Sequence, residues 1–146
     1  MNWITDRIAI GNCFDAQSKA LLTLHGFRSA LSLDGALSVW QPSELGLAEI
    51  AVVQMVDGPG NDLATYRRAV ETLARLVESH PPTLVQCHAG RSRSPIVVAG
   101  YLVRTRDLDP VQAIGEVAAK RDINISDGLE HLLHRYWWDV REEGTH

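Results

Sequence analysis

The sequence predicts an α/β fold: three layers, with a small, mainly parallel central sheet flanked by helices. Short apolar runs that suit strands alternate with segments whose apolar residues recur at helical spacing. One run, Thr83–Gln86, leads through a brief turn into a segment that is apolar nearly all round, as a buried helix is. No repeat, low-complexity tract or linker divides the chain, so one domain over residues 1–146 is expected. A chain of 146 residues that is 45% hydrophobic can bury one core and is short for two.

The elements follow in order. Ile4, Ile8 and Ile10 mark an edge strand or hairpin arm ending at Gly11. A helix comes next, with Asp15 as its cap, Ala16, Ala20, Leu21 and Leu24 as its stripe, and Gly26 where a left-handed terminal residue belongs. Ser29–Leu33 and Ala48–Met55 read as strands joined by a Gly/Pro/Ser-rich connection. Asp62 opens the longest helix, where Leu63, Tyr66, Val70, Leu73 and Val77 keep the helical period until His80-Pro81-Pro82 stops it. After the Thr83–Gln86 strand, Ser94 suits an N-cap and Pro95 the first position of a helix reaching Val103. Asp109-Pro110 opens another helix that ends near Lys120-Arg121. Asp127 with Glu130 suggests a capping box for a last helix, Leu129–Val140. Leu133, Trp137 and Trp138 are expected to anchor that helix in core and surface.

Composition narrows the function. A net charge of −4 does not favour nucleic acid or an anionic membrane, so any anion site must be local. No run of about 18 apolar residues and no basic-then-apolar leader occurs, so neither a membrane span nor a signal peptide is expected. Cys13 and Cys87 are too few for a disulfide framework and fit no zinc spacing. Free thiols in a reducing cytoplasm, no metal, no cofactor and a monomeric state are the expectations.

The stretch Gln86–Pro95, QCHAGRSRSP, carries the chemistry. Cys87 ends a buried strand just before a buried helix, and in open α/β sheets ligands bind outside the carboxyl ends of strands. The turn His88–Arg93 presents successive amides around a small volume, and the following helix adds its positive end, so together they cradle an anion. Gly90 gives the turn its backbone freedom. The planar guanidinium of Arg93 can hold two phosphate oxygens at once. Positive partial charge around Cys87 favours thiolate, the nucleophilic form. A random cysteine is more often a buried, inert small hydrophobe. Here the spacing argues otherwise.

Cys, five residues, Arg and Ser resemble the signature of the cysteine-based protein tyrosine phosphatase superfamily, and CHAGRSRS is similar to the CxxGxSRS loop of its dual-specificity branch. The likeness extends over about Ile4 to Val140. It implies a phosphatase domain without a regulatory appendage, of protein tyrosine phosphatase-like fold. It also implies a phosphocysteine on Cys87, with Arg93 and the loop residues His88, Ala89, Gly90, Arg91 and Ser92 holding the phosphate. Asp57, thirty positions before Cys87, takes the general acid's place, and Ser94 that of a hydroxyl that stabilises the departing thiolate. Asp57 would otherwise be a turn aspartate in VDGPGND. Asp62 competes with it but already has a capping role.

Two departures stand out. Gln86 precedes the cysteine where the family usually has His, and Ser126-Asp127 lie where many relatives have an Asn that supports the loop. Arg91 is expected either at the pocket rim, favouring a second negative charge, or in solvent. His88 is expected to pack or line the rim, and Cys13 to pack beneath the first helix. The implied activity is dephosphorylation of Tyr, Ser and Thr side chains. Alternatives are a phosphatase of phosphoinositide, sugar or glycan phosphates, and a silent phosphate-binding module.

Overall fold

Alternation along the inner strands splits the core in two. Ile8, Ile10, Leu31 and Val85 belong to a large cluster on one face, while Ala9, Ala30 and Leu84 belong to a smaller one on the other. The computed structural model describes residues 1–144. Its five strands are β1 (Asn2–Trp3), β2 (Ile8–Gly11), β3 (Ser29–Ser32), β4 (Glu49–Val52) and β5 (Thr83–Gln86). They lie in the order β1-β2-β5-β3-β4, antiparallel between β1 and β2 and parallel elsewhere.

The large cluster is covered by α3 (Leu63–Ser79), α4 (Arg93–Arg106), α5 (Pro110–Ala118) and α6 (Glu130–Gly144). The small one is covered by α1 (Cys13–Ala16), α2 (Lys19–Leu24) and two short 3₁₀ turns, which bring in Leu37 and Leu45. This is the layered α/β arrangement the alternating pattern predicts. Among the described residues no helix is long and apolar enough to cross a membrane. β5 lies between β2 and β3, so connections on the two faces part at its carboxyl end. A crevice forms at such a switch point.

Several elements keep their expected bounds. Asp62 caps α3, accepting from the Thr65 amide at 2.7 Å, and the helix ends at His80. Asp109 caps α5, with Pro110 first. The first helical segment differs. Asn12, not Asp15, is its N-cap, with Asp15 as the reciprocal partner in a capping box, and a second cap at Ser18 breaks the segment into α1 and α2. The break changes the phase of the stripe. Leu22 is buried, whereas Ala20 and Leu24 are exposed and Leu21 only partly covered.

α4 also begins earlier than expected. Ser92 holds the cap position, so Ser94 and Pro95 lie inside the first turn. Proline is tolerated there because the first helical amides have no partner within the helix. The expected Asp127–Glu130 box is not made: Asp127 is exposed, and its carboxylate accepts no hydrogen bond among the described residues. Leu133 is fully buried, Trp137 partly so, and Trp138 is 54% exposed, as an anchor spanning core and surface would be.

Candidate active site

Cys87 follows the last residue of β5 and is only 2% exposed. The turn after it is held from outside by its carbonyls. The His88 carbonyl accepts from the Cys13 amide at 3.0 Å, and that of Ala89 from Arg121 Nη2 at 3.1 Å. The Gly90 carbonyl accepts from Arg121 Nε at 2.6 Å, and that of Arg91 from the Asn124 amide at 2.8 Å. In a planar trans peptide the C=O and the next N–H point opposite ways. Carbonyls turned outward at 88–91 therefore turn the amides of 89–92 inward. Gly90, at φ +69°, makes the curl possible.

The loop borders a cavity of about 210 Å³. Cys87, Ala89, Arg91, Ser92 and Arg93 line it on the loop side, with Asp57, Asn124 and Ser126 completing the wall. Ser126 Oγ donates to Asp57 Oδ1 at 2.7 Å, and the Ser126 amide donates to Ser92 Oγ at 2.8 Å, so one residue ties the Asp57 loop to the cradle. Arg93 Nη1 donates to the Met55 carbonyl at 3.0 Å, while its Nε is buried without a partner among the described residues. A larger groove of about 550 Å³ lies among Val103, Arg106, Trp137 and Arg141 at the far end of α4. It carries no thiol, whereas the smaller cavity holds Cys87 beside Arg93 and Asp57.

The structure brings Cys87, Arg93, Asp57, Ala89, Arg91 and Ser92 to this cavity. Arg91 sits at its edge, paired with exposed Asp122 at 3.1 Å. His88 and Gly90 fall outside the lining. The His88 ring is exposed, with Nδ1 3.5 Å from the thiol of Cys13, so Cys13 packs against the loop's flank. Ser94 is not the expected cap. Its hydroxyl oxygen is buried in the first turn of α4 without a partner among the described residues.

Sequence reasoning missed Arg121, which reaches Ala89, Gly90, the Ile10 carbonyl (3.2 Å) and Asn2 Oδ1 (2.9 Å). Burial among these groups lowers its guanidinium from the ordinary value. At the end of a helix it reads as a solvated charge, and only its bracketing of the loop in space shows otherwise. Gln86 is fully buried, and Nε2 donates to Asp34 Oδ1 at 2.6 Å and to the Cys87 carbonyl at 3.1 Å.

Residues 9–137 match the model of the dual specificity phosphatase catalytic domain. The chain belongs to that family and is a cysteine-dependent phosphatase. Solved structures share its fold. Human DUSP28 is 24% identical, with a TM-score of 0.83 over 98% of this chain and 99% of that one. The human tyrosine phosphatase-like serine/threonine/tyrosine-interacting protein is 22% identical, with a TM-score of 0.81 over 97% of each chain. PTPMT1 is 21% identical, with a TM-score of 0.77 over 99% of this chain and 98% of that one. It has also been solved in complex with PI(5)P, and that structure gives a TM-score of 0.72 at 20% identity over 97% of this chain and 96% of that one.

Proposed function

We propose that this chain, acting as one catalytic domain, hydrolyses phosphate esters of protein Tyr, Ser and Thr side chains through a phosphocysteine on Cys87. One observation carries the reading: a recessed thiol shares a small cavity with inward amides, an arginine and an aspartate. The amides of 89–92 and the free edge of Arg93 hold the three equatorial oxygens. The Cys87 thiolate attacks phosphorus, the ester P–O bond breaks, and Asp57 gives its proton to the leaving oxygen. Water then attacks the phosphocysteine, Asp57 takes a proton from it, and the S–P bond breaks to return the thiolate. The partnerless hydroxyl of Ser94 is available to stabilise that thiolate. Two displacements give each step a better nucleophile or leaving group than one would.

In turnover of an aryl phosphate with chelator present, Cys87→Ser should be inactive yet still bind phosphate by calorimetry. Arg93→Lys should lose both, since a point charge cannot replace the bidentate fork. Near-full activity in Cys87→Ser, or a requirement for added divalent metal, overturns the proposal. A second reading, a compact non-protein phosphate as substrate, draws on two observations. The cavity lining named above contains no aromatic side chain to flank a phosphotyrosine ring, and PTPMT1 has been solved with PI(5)P. A panel of phosphopeptides, phosphoinositides and sugar phosphates separates the two by kcat/KM.

A further inference from the structure

We infer that Asp34 is a positioning residue for this reaction, acting on Cys87 through Gln86. The inference rests on Cys87 being the nucleophile. Gln86 has no freedom in how it presents its amide: Asp34 Oδ1 can face only a donor, so Nε2 must point to it and thereby also to the Cys87 carbonyl. The 2.6 Å bond joins an N–H to a carboxylate and is charge-assisted. Asp34 is itself fixed. The same Oδ1 accepts from the Ala36 amide at 2.9 Å and stands 3.4 Å from Ser32 Oγ, which binds it to the turn after β3. β3 is the parallel neighbour of β5, and the Leu33 amide donates to the Gln86 carbonyl at 2.7 Å.

Glutamine here is not a convenient filler. Its Oε1 is buried with no partner among the described residues, which costs stability, and a leucine would avoid that cost. What the glutamine adds is the donor to the Cys87 carbonyl. Two sets of anchors therefore divide the loop. Cys13, Arg121 and Asn124 hold the carbonyls of 88–91 and so shape the anion cradle, while Gln86, braced by Asp34, holds the peptide that carries the nucleophile. Unlike an imidazole, the amide of Gln86 carries no proton that is gained or lost near neutrality. Releasing this second anchor should misplace the sulfur and leave the cradle as it was.

The 146-residue chain tests this with an aryl phosphate as substrate and inorganic phosphate as competitive inhibitor. Asp34→Ala and Gln86→Leu should each lower kcat/KM on the order of tenfold or more, while the phosphate inhibition constant stays within about twofold. Asp34→Asn keeps an acceptor oxygen for both Gln86 and Ala36 and should restore most of the loss. The double variant should be no slower than the slower single one, because both changes cut the same link. If Asp34→Ala does not fold, Asp34→Ser replaces it: the hydroxyl can still accept from Ala36 but is too short for Gln86. Unchanged kcat/KM in the Asp34 or Gln86 variant, parallel loss of turnover and phosphate inhibition, no recovery in Asp34→Asn, or additive losses would each overturn the inference. Cys87→Ser is assayed alongside. If it is active, the nucleophile assignment falls and the inference with it. If it is inactive while the Asp34 and Gln86 variants keep their rate, the inference alone falls.

Discussion

Arg121 lies where a side chain at position 90 would be. Its Nε donates to the Gly90 carbonyl at 2.6 Å, and a Cβ built on Gly90 would stand 2.6 Å from its Nη2 and 2.7 Å from the Gly11 carbonyl oxygen. The loop closes against the arginine only because no side chain intervenes.

Gly90→Ala should therefore be among the most damaging single changes. The φ of +69° strains any other residue, and the Gly11 backbone cannot move aside as a flexible side chain could. Arg121→Lys should also fail to hold the loop, because one ammonium cannot reproduce the fork on Ala89 and Gly90. Steady-state kinetics should show turnover and phosphate inhibition declining together, with kcat/KM down about tenfold to a hundredfold. Retained phosphate inhibition in either variant would count against the clamp.

Asp57 and Asp62 separate by leaving group. A general acid is worth about 10²–10⁴-fold, most where the departing oxygen needs a proton. Asp57→Asn should slow an alkyl or peptide phosphate far more than an activated aryl phosphate, and Asp62→Asn should slow neither, since asparagine caps as well as aspartate. Asp62 acts on stability instead. Hydrogen bonds from Thr65, its side chain first and its backbone second, hold the Asp62 carboxyl below the ordinary value. A depressed folded value means that the contribution is complete above the unfolded value of about 3.9 and fades as pH falls through the lower folded one. Melting curves of Asp62→Ala and wild type should differ at neutral pH and converge on acidification into that window.

The α3–α4 contact is set by a close approach. A Cβ on Gly100 would meet Tyr66 Oη at 2.5 Å and Val70 Cγ2 at 2.7 Å, and Tyr66 Oη donates to the Ile96 carbonyl at 2.7 Å. Gly100→Ala should destabilise by about 1–3 kcal/mol through overpacking, despite alanine's better helix propensity. Tyr66→Phe should cost about 1 kcal/mol through the lost bond. Denaturant midpoints give both values. The pair made together should fall short of the sum, because removing the hydroxyl opens room for the methyl.

Local signals carried much of this to the reader of the sequence. Asp62, the apolar period of α3 and His80-Pro81-Pro82 specify a helix without reference to the rest of the chain. CHAGRSRS specifies the cradle because its spacing is set by one contiguous turn. The misreadings arose where two local signals competed. Asn12 and Ser18 both cap, and two caps six residues apart leave no room for one amphipathic helix. Ser92 and Ser94 are equally good caps by type. Ser92 holds the cap position without its side chain capping any helix amide, because its hydroxyl accepts instead from the amide of Ser126, far along the chain. Arg121 and Asp34 act on the loop across 31 and 52 residues, to Gly90 and Gln86, and neither has a periodic or turn pattern that points there.

Arg121 also reaches Asn2 Oδ1 at 2.9 Å, on the short outermost strand. Outer strands fray most readily, and amide hydrogens there exchange through small local openings. The loop after Cys87 thus shares a restraint with an edge strand of the sheet, so opening at one place should weaken the other. An oxyanion that orders the loop should consequently slow amide exchange in β1, through the arginine that joins the two.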